Sequence, residues 1–143
     1  MMRTRLEDRV RIPRRPTRQG ELTDLEQAVL RLASNYSATN VDADGSDNTL
    51  GMTFTVDGVR FGLSLSLALG QREAEILTRL WPTPTPQAIG EARTPALRAR
   101  LRTGLLGDGT LRIRPRGFRW TSEALEQFVA DAQELAMRIR GVA

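Results

Sequence analysis

The chain has 143 residues and a formal net charge of +4, and every positive side chain is an arginine because lysine and histidine are absent, as is cysteine. The missing residue types exclude disulfides, thiolate and imidazole metal sites, Schiff-base chemistry and triads that need histidine. No apolar run approaches the roughly 18 residues of a membrane-spanning helix. We therefore expect one domain in the cytoplasm, with no membrane partner, no metal and no cofactor.

Charge is segregated along the chain. Residues 1–20 carry seven arginines and two acidic residues, and residues 93–119 carry eight arginines and one acidic residue. Between these basic blocks, residues 21–92 hold ten acidic residues and four arginines. Because local fields steer association more than net charge does, both blocks are candidate binding surfaces.

The first basic block is predicted to be an arm outside the folded domain. Pro13 and Pro16 interrupt regular structure, and few apolar residues are present to pack against a core. We expect the arm to cover residues 1–20 and the domain to cover residues 21–143. Arg14 and Arg15 are its candidate anion-binding residues.

A helix is predicted to begin at Thr23. Thr23 and Glu26 have the spacing of a capping box, and the helix should end near Asn35. An apolar stripe with helical spacing follows the cap, formed by Leu25, Ala28, Val29 and Leu32.

The sequence then predicts a three-stranded meander, with a weak first strand over residues 38–43. Asp57-Gly58 is a strong hairpin signal between two alternating segments. A two-residue turn there pairs Val56 with Val59, Phe54 with Phe61, Met52 with Leu63, and Leu50 with Leu65. The acidic loop before the hairpin, with Asp42, Asp44, Asp47 and Asn48, lacks the glycine position of a calcium loop and is interpreted as a turn.

A second helix is predicted over residues 71–81, with Ala74, Leu77, Leu80 and Trp81 on one side. The proline-rich stretch that follows, residues 82–93, is predicted to be an internal connector, stiff over Pro82–Pro86. Thr94-Pro95 then favours a new helix start, with Leu97 and Leu101 buried. This helix would place Arg98 and Arg102 on one face.

The next segment is predicted to form a hairpin around Arg114-Pro115-Arg116-Gly117. Ile113 would lie opposite Phe118, and Arg112 would face Arg119 across the strands. Since like charges directly opposite are unfavourable, an anionic partner would relieve this pair. The candidate anion-binding patch of the second block is Arg98, Arg102, Arg112, Arg114, Arg116 and Arg119.

Two interpretations of this patch remain open, a docking site for anions or a solvated arginine-rich surface. Phe118 and Trp120 could stack on bases, but their parity with Leu111 and Ile113 favours core packing.

A final helix is indicated by the apolar stripe Leu125, Phe128, Val129, Ala132, Leu135, Ala136 and Ile139, with Gly141 as its stop.

The element order over residues 21–141 is helix, three-stranded meander, helix, basic segment, β segment and long helix. This order resembles that of type III secretion chaperones and related small α/β proteins. The resemblance implies a dimeric non-enzyme that holds partner segments along grooves and exposed strands, and it assigns no functional residue.

The sequence therefore predicts an α+β protein, with an antiparallel meander, helices packed on one face, a long C-terminal helix and a basic N-terminal arm. The favoured function is a non-catalytic adaptor that docks on acidic protein surfaces through the arm and the patch. Two alternatives remain, a nucleic-acid-binding accessory protein that contacts phosphates and a chaperone-like binder of partner segments that forms a homo-oligomer.

Overall fold

The structure is a computed structural model that describes residues 16–44, 48–68, 70 and 72–142. In chain order, the elements of this part are α1 (Pro16–Tyr36), β1 (Thr39–Asp42), β2 (Thr49–Val56), β3 (Val59–Ser66), β4 (Glu73–Thr78), α2 (Pro86–Glu91), α3 (Arg93–Arg98), β5 (Leu101–Leu105), β6 (Leu111–Pro115) and α4 (Ser122–Val142). The strands form one antiparallel sheet in the order β1-β2-β3-β4-β6-β5. The predicted α+β class is confirmed.

The two long helices cover one face of this sheet. Helix α1 contacts β1 and β2, whereas α4 contacts β4 and β6. Strands β2, β3, β4 and β6 turn alternate side chains toward these helices, so the core lies between the helices and the inner face. The outer face carries small and charged residues such as Thr53, Ser64 and Arg112.

The central hairpin has the predicted register. Val56 pairs with Val59, Phe54 with Phe61, Met52 with Leu63, and Leu50 with Leu65. The turn residues Asp57 and Gly58 both have positive φ, 51° and 79°. A two-residue turn of this kind matches the right-handed twist of the strands, which is why the aspartate-glycine pair predicts it.

The predicted start of the first helix is wrong. Helix α1 begins at Pro16, seven residues before the predicted cap at Thr23, and it continues to Tyr36. The predicted apolar stripe is buried. Asp24 lies within the helix, where its carboxylate accepts a hydrogen bond from the backbone N–H of Ser122 at 2.7 Å. Asp24 therefore satisfies the first N–H of α4, beside the N-cap Thr121, whose hydroxyl accepts a hydrogen bond from the N–H of Ala124 at 3.2 Å.

We expect Asp24→Ala to lower the free energy of unfolding by about 1 kcal/mol, the usual net value of one hydrogen bond, because the N-cap Thr121 stays in place. The variant frees the N–H of Ser122 and removes a negative charge from the positive end of the helix dipole. Urea unfolding of both proteins measures the difference. Glu134→Ala, which removes an exposed carboxylate from α4, is the control and should change stability by less than about 0.5 kcal/mol. Equal effects of the two substitutions would contradict this role of Asp24.

The predicted second helix is also wrong, because residues 73–78 form β4. Ala74, Ile76 and Thr78 alternate as buried residues, and Ile76 pairs with Leu63 on one side and Ile113 on the other. Trp81, which the helical interpretation buried, is 84% exposed. The short apolar segment fits both periods, and two neighbouring strands decide in favour of the strand.

The predicted connector over residues 82–93 contains helix as well as loop. Residues 82–85 form a loop, and Thr85 caps α2 by accepting a hydrogen bond from the N–H of Ala88 at 3.1 Å. Pro86 occupies the first turn, where its missing N–H costs nothing. Thr94 is not the predicted cap, because α3 already begins at Arg93.

The predicted hairpin around residues 114–117 is wrong as well. Strand β6 pairs with β5, with Thr103 opposite Ile113 and Leu105 opposite Leu111. The turn lies at residues 106–110, closed by a hydrogen bond from the N–H of Leu106 to the carbonyl oxygen of Thr110. Leu101 and Arg102 therefore belong to a strand, although the sequence predicts a helix there. The final helix is confirmed with its whole predicted stripe buried, and it runs through Gly141 to Val142.

Candidate functional site

Two arginines face each other across the β5–β6 ribbon. Arg102 on β5 is paired with Arg114 on β6, two pairs along from Gly104, which faces Arg112. Residues directly opposite in an antiparallel pair point to the same face of the sheet, and like charges there are destabilising. The predicted apposition of like charges therefore exists, but it joins Arg102 and Arg114 instead of Arg112 and Arg119.

These guanidinium groups are free to bind anions. Within the described part of the chain, neither Arg102 nor Arg114 forms an ion pair, and Arg93 forms none either. Arg116 donates from Nε to the carbonyl oxygen of Leu101 at 3.3 Å and keeps its other donors. Guanidinium groups can bind carboxylates and phosphates through two parallel hydrogen bonds, so Arg93, Arg102, Arg114 and Arg116 are the candidate anion-binding residues.

These four arginines line a groove beside the edge strand β5. The groove is a cavity of about 470 Å³ bounded by α2, α3, β5 and the end of β6. Its apolar wall includes Ile89, Leu97 and Leu105, and Leu97 is 52% exposed. No acidic residue of the described chain lines it. We call this cavity, with Arg93, Arg102, Arg114 and Arg116, the arginine groove.

The structure separates the other predicted arginines from the groove. Arg112 forms an ion pair with Glu75 on the outer face, with 3.0 Å between Nε and Oε1. Arg98 lines a different cleft, between α3 and α4, together with Asp131 and Glu134. The predicted patch is therefore divided, and Arg102, Arg114 and Arg116 are the members that the groove brings together.

The remaining predicted arginines also lie elsewhere. Arg119 lines a small cavity of about 210 Å³ with Arg116 and Phe118. Arg14 and Arg15, the candidate residues of the arm, lie outside the described residues.

The predicted packing role of Phe118 and Trp120 is confirmed, although they do not belong to a strand. Both are partly buried against the core, and their rings meet edge to face with 4.9 Å between centroids. Phe118 also lies 6.0 Å from the ring of Phe128 on α4. The guanidinium group of Arg72 also lies over the ring of Trp120, 5.4 Å from its centroid, so this ring is engaged within the chain.

Sequence reasoning missed two features of the groove. The sequence predicts that Arg93 belongs to the connector, whereas in the structure α3 begins at Arg93 and this residue lines the groove. Ile89 and Leu97 are apolar residues that helical periodicity would assign to a core, whereas the structure leaves them along the groove. Only the correct pairing of β5 with β6 reveals where these residues meet.

Asp108, the one acidic residue of the second basic block, is engaged at the far turn of the ribbon. Hydrogen bonds from Thr110 lower the pKa of its carboxyl group, and the nearby Arg79 adds to the effect. The carboxylate therefore stays ionised, and its partners at the turn are Thr110 and Arg79 rather than the arginines of the groove.

The described residues contain no group of three or more side chains suited to hold a metal ion. Asp42, from the acidic loop, instead accepts a hydrogen bond from Thr49 at 3.2 Å, and Asp47 lies outside the described residues. Within the same part of the chain, every helix is too short or too polar to cross a bilayer.

Comparison of the chain with protein-family models, with curated proteins and with solved structures finds no match. The function is therefore argued from the residues of the groove.

Proposed function

We propose that this protein is a non-catalytic adaptor that docks on an acidic protein through the arginine groove. The observation that carries the proposal is the direct pairing of Arg102 with Arg114, with no acidic partner for either within the described chain. Such a pair costs stability in the free protein, and a carboxylate placed between the two side chains removes that cost.

The chemistry of the groove supports binding rather than catalysis. Arginine stays protonated at physiological pH and does not serve as a general base. Besides Arg102, β5 adds one polar side chain to the groove, that of Thr103. In the part of the chain that the structure describes, the cavity lining contains no residue that could act as a base toward its hydroxyl. A cavity that offers fixed positive charge and apolar surface fits a ligand that is held without being converted.

A protein partner fits the groove better than a nucleic acid. Ile89, Leu97 and Leu105 give the cavity an apolar wall, which side chains of a protein can cover. Among the described residues, no aromatic side chain lines the groove to stack on bases. The basic arm belongs to the same proposal as a second contact with the acidic partner, and because α1 begins at Pro16, the arm to be deleted ends at residue 15.

A charge-reversal variant tests the proposal. The probe is fluorescently labelled poly-glutamate, and its affinity is measured for the full chain and for Arg102→Glu/Arg114→Glu. We expect the double variant to bind at least about tenfold more weakly, since each lost charge-assisted pair is worth about 1.5–3 kcal/mol. Arg60→Glu/Arg138→Glu is the matched control, with the same change of net charge at exposed positions outside the groove, and it should bind within about threefold of wild type.

Two outcomes would overturn the proposal. Equal losses in the two double variants would show that binding follows net charge and not the groove. The second outcome is that a duplex or single-stranded oligonucleotide binds more tightly than poly-glutamate at about 50 mM salt and that the groove variant loses this binding. That result would establish the nucleic-acid alternative.

Deletion of residues 1–15 should weaken poly-glutamate binding while leaving thermal unfolding unchanged, and unchanged binding would remove the arm from the proposal.

A further inference from the structure

The edge of β5 that faces the groove has unpaired backbone groups. In an antiparallel pair, hydrogen-bonded residue pairs alternate with pairs that make no hydrogen bonds. Two backbone bonds fix this alternation, from the N–H of Arg116 to the oxygen of Arg100 at 2.8 Å and from the N–H of Leu106 to the oxygen of Thr110 at 2.9 Å. Arg102 and Gly104 therefore bond to β6, whereas Leu101, Thr103 and Leu105 direct their N–H and C=O groups away from it.

The outward groups of Thr103 and Leu105 lack partners in the described part of the chain. Arg116 Nε donates to the oxygen of Leu101, but no hydrogen bond there satisfies the outward groups of Thr103 or Leu105. Thr103 and Leu105 also line the arginine groove. The groove therefore has an available row of backbone donors and acceptors along one wall, which is the template for an added strand.

The opposite edge of the sheet is a poorer template. Strand β1 has four residues, its register with β2 is irregular, and Asn40 has a positive φ of 51°. Irregular and short edges discourage pairing with another chain. Strand β5, by contrast, keeps a continuous register with β6 over five residues.

We propose that β5 receives an extended segment of the partner as an additional strand, with acidic side chains alternating with apolar ones. The proposal rests on the proposed function, because it specifies how the acidic partner is bound. A residue opposite Arg102 lies on the same face as Arg102 and Arg114, where a carboxylate reaches both guanidinium groups. Its neighbours along the strand point to the other face, toward Ile89 and Leu97.

The positive charge of the groove favours an acidic segment over a second copy of this chain and over the chain's own residues 1–15. In a second copy paired through the same edge, Arg102 of the copy would lie near Arg102 and Arg114, and like charges oppose that contact. The chain's own residues 1–15 carry six arginines and two acidic residues, so the same repulsion acts against them. An acidic segment from a different protein is the occupant that the charges favour.

The test uses a short synthetic peptide in which glutamate and valine alternate, with poly-glutamate as the non-alternating probe. Two N-methylated versions carry methyl groups on alternate residues, in opposite phases. An added strand directs only one phase of its N–H groups toward β5. We expect one version to bind at least about tenfold more weakly than the parent peptide and the other to bind like it. Amide exchange of Thr103 and Leu105 should slow when the parent peptide is bound.

A variant on the protein side gives a second readout. Thr103→Pro removes an N–H that points away from β6, so it leaves the β5–β6 hydrogen bonds intact, and edge strands tolerate proline at such a position. We expect Thr103→Pro to bind the peptide about tenfold more weakly than Thr103→Ala, which keeps the N–H. Circular dichroism of both variants confirms that they are folded.

The outcomes separate this proposal from the proposed function. Strand addition is wrong if neither phase of N-methylation matters, or if the alternating peptide binds no better than poly-glutamate while Arg102→Glu/Arg114→Glu still weakens both. If neither probe responds to Arg102→Glu/Arg114→Glu, docking in the groove is wrong as well.

Discussion

Replacing Phe61 by alanine is expected to lower the free energy of unfolding by about 3–5 kcal/mol. Phe61 is fully buried at the centre of β3, and its ring stacks on that of Phe54 with 5.2 Å between centroids. Phe54 in turn lies 4.6 Å from the ring of Tyr36 at the end of α1. The substitution removes one end of the ring contacts that join the sheet to α1 through Phe54, and it leaves a cavity that close-packed neighbours fill only in part.

Domains of this size have a stability of roughly 5–15 kcal/mol, so this variant would lose a large fraction of it. Thermal and urea unfolding measure the loss, and the midpoint temperature should fall by about 10 °C. Leu30→Ala is the control, because Leu30 is a large apolar residue on α1 that is 49% exposed. It should cost less than about 1 kcal/mol. A similar small loss for Phe61→Ala would contradict the register that places Phe61 in the core.

The central hairpin could be predicted because local signals agree there. The Asp57-Gly58 turn fixes a register, and the alternation on both sides of it places apolar residues on one face only in that register. The final helix is similar, since its apolar stripe is long and continuous enough to exclude a strand. In both cases the residues that decide the structure are neighbours in the sequence.

The elements that the sequence predicts wrongly are decided by distant residues. Residues 73–78 become a strand because β3 and β6 flank them, and β6 lies more than thirty positions later in the chain. The apolar pattern that favours a helix over residues 101–105 is short, and pairing with β6 outweighs it. Short segments fit helix and strand equally well, and tertiary contacts select between them.

The prediction of the candidate site also depends on tertiary contacts between distant residues. The sequence shows that arginines are concentrated in residues 93–119, and it predicts that two of them oppose each other. Which two depends on the position of the turn, and the turn at residues 106–110 makes them Arg102 and Arg114. The ion pair that removes Arg112 from the site depends on Glu75, which reaches it only because residues 73–78 form a strand. Composition therefore predicts where the arginines are concentrated, and the pairing of the strands determines which of them line the groove.

Gly51 provides a test of close packing on the outer face of the sheet. At this position the backbone of the neighbouring strand leaves no room for a side chain. A Cβ atom added at Gly51 would lie 2.6 Å from the carbonyl oxygen of Leu63, and real Cβ atoms essentially never come closer than 3.0 Å to such an atom. Because the obstacle is backbone, the contact is relieved only if β2 and β3 move apart. We expect Gly51→Ala to lower the free energy of unfolding by about 1–3 kcal/mol, the cost of overpacking a close contact.

Gly62 is the matched control, because it lies on the neighbouring strand β3, paired with Thr53, and belongs to the same outer face. A Cβ atom there would meet only the carbonyl oxygen of Leu77, at 3.9 Å, which is ordinary contact. Gly62→Ala should therefore leave stability unchanged or raise it by up to about 1 kcal/mol, since alanine loses less backbone entropy than glycine. Urea unfolding of the two variants decides between opposite signs. A loss of the same size in both would mean that the outer face disfavours any side chain on these strands, and that the short approach of Leu63 to Gly51 is not the cause.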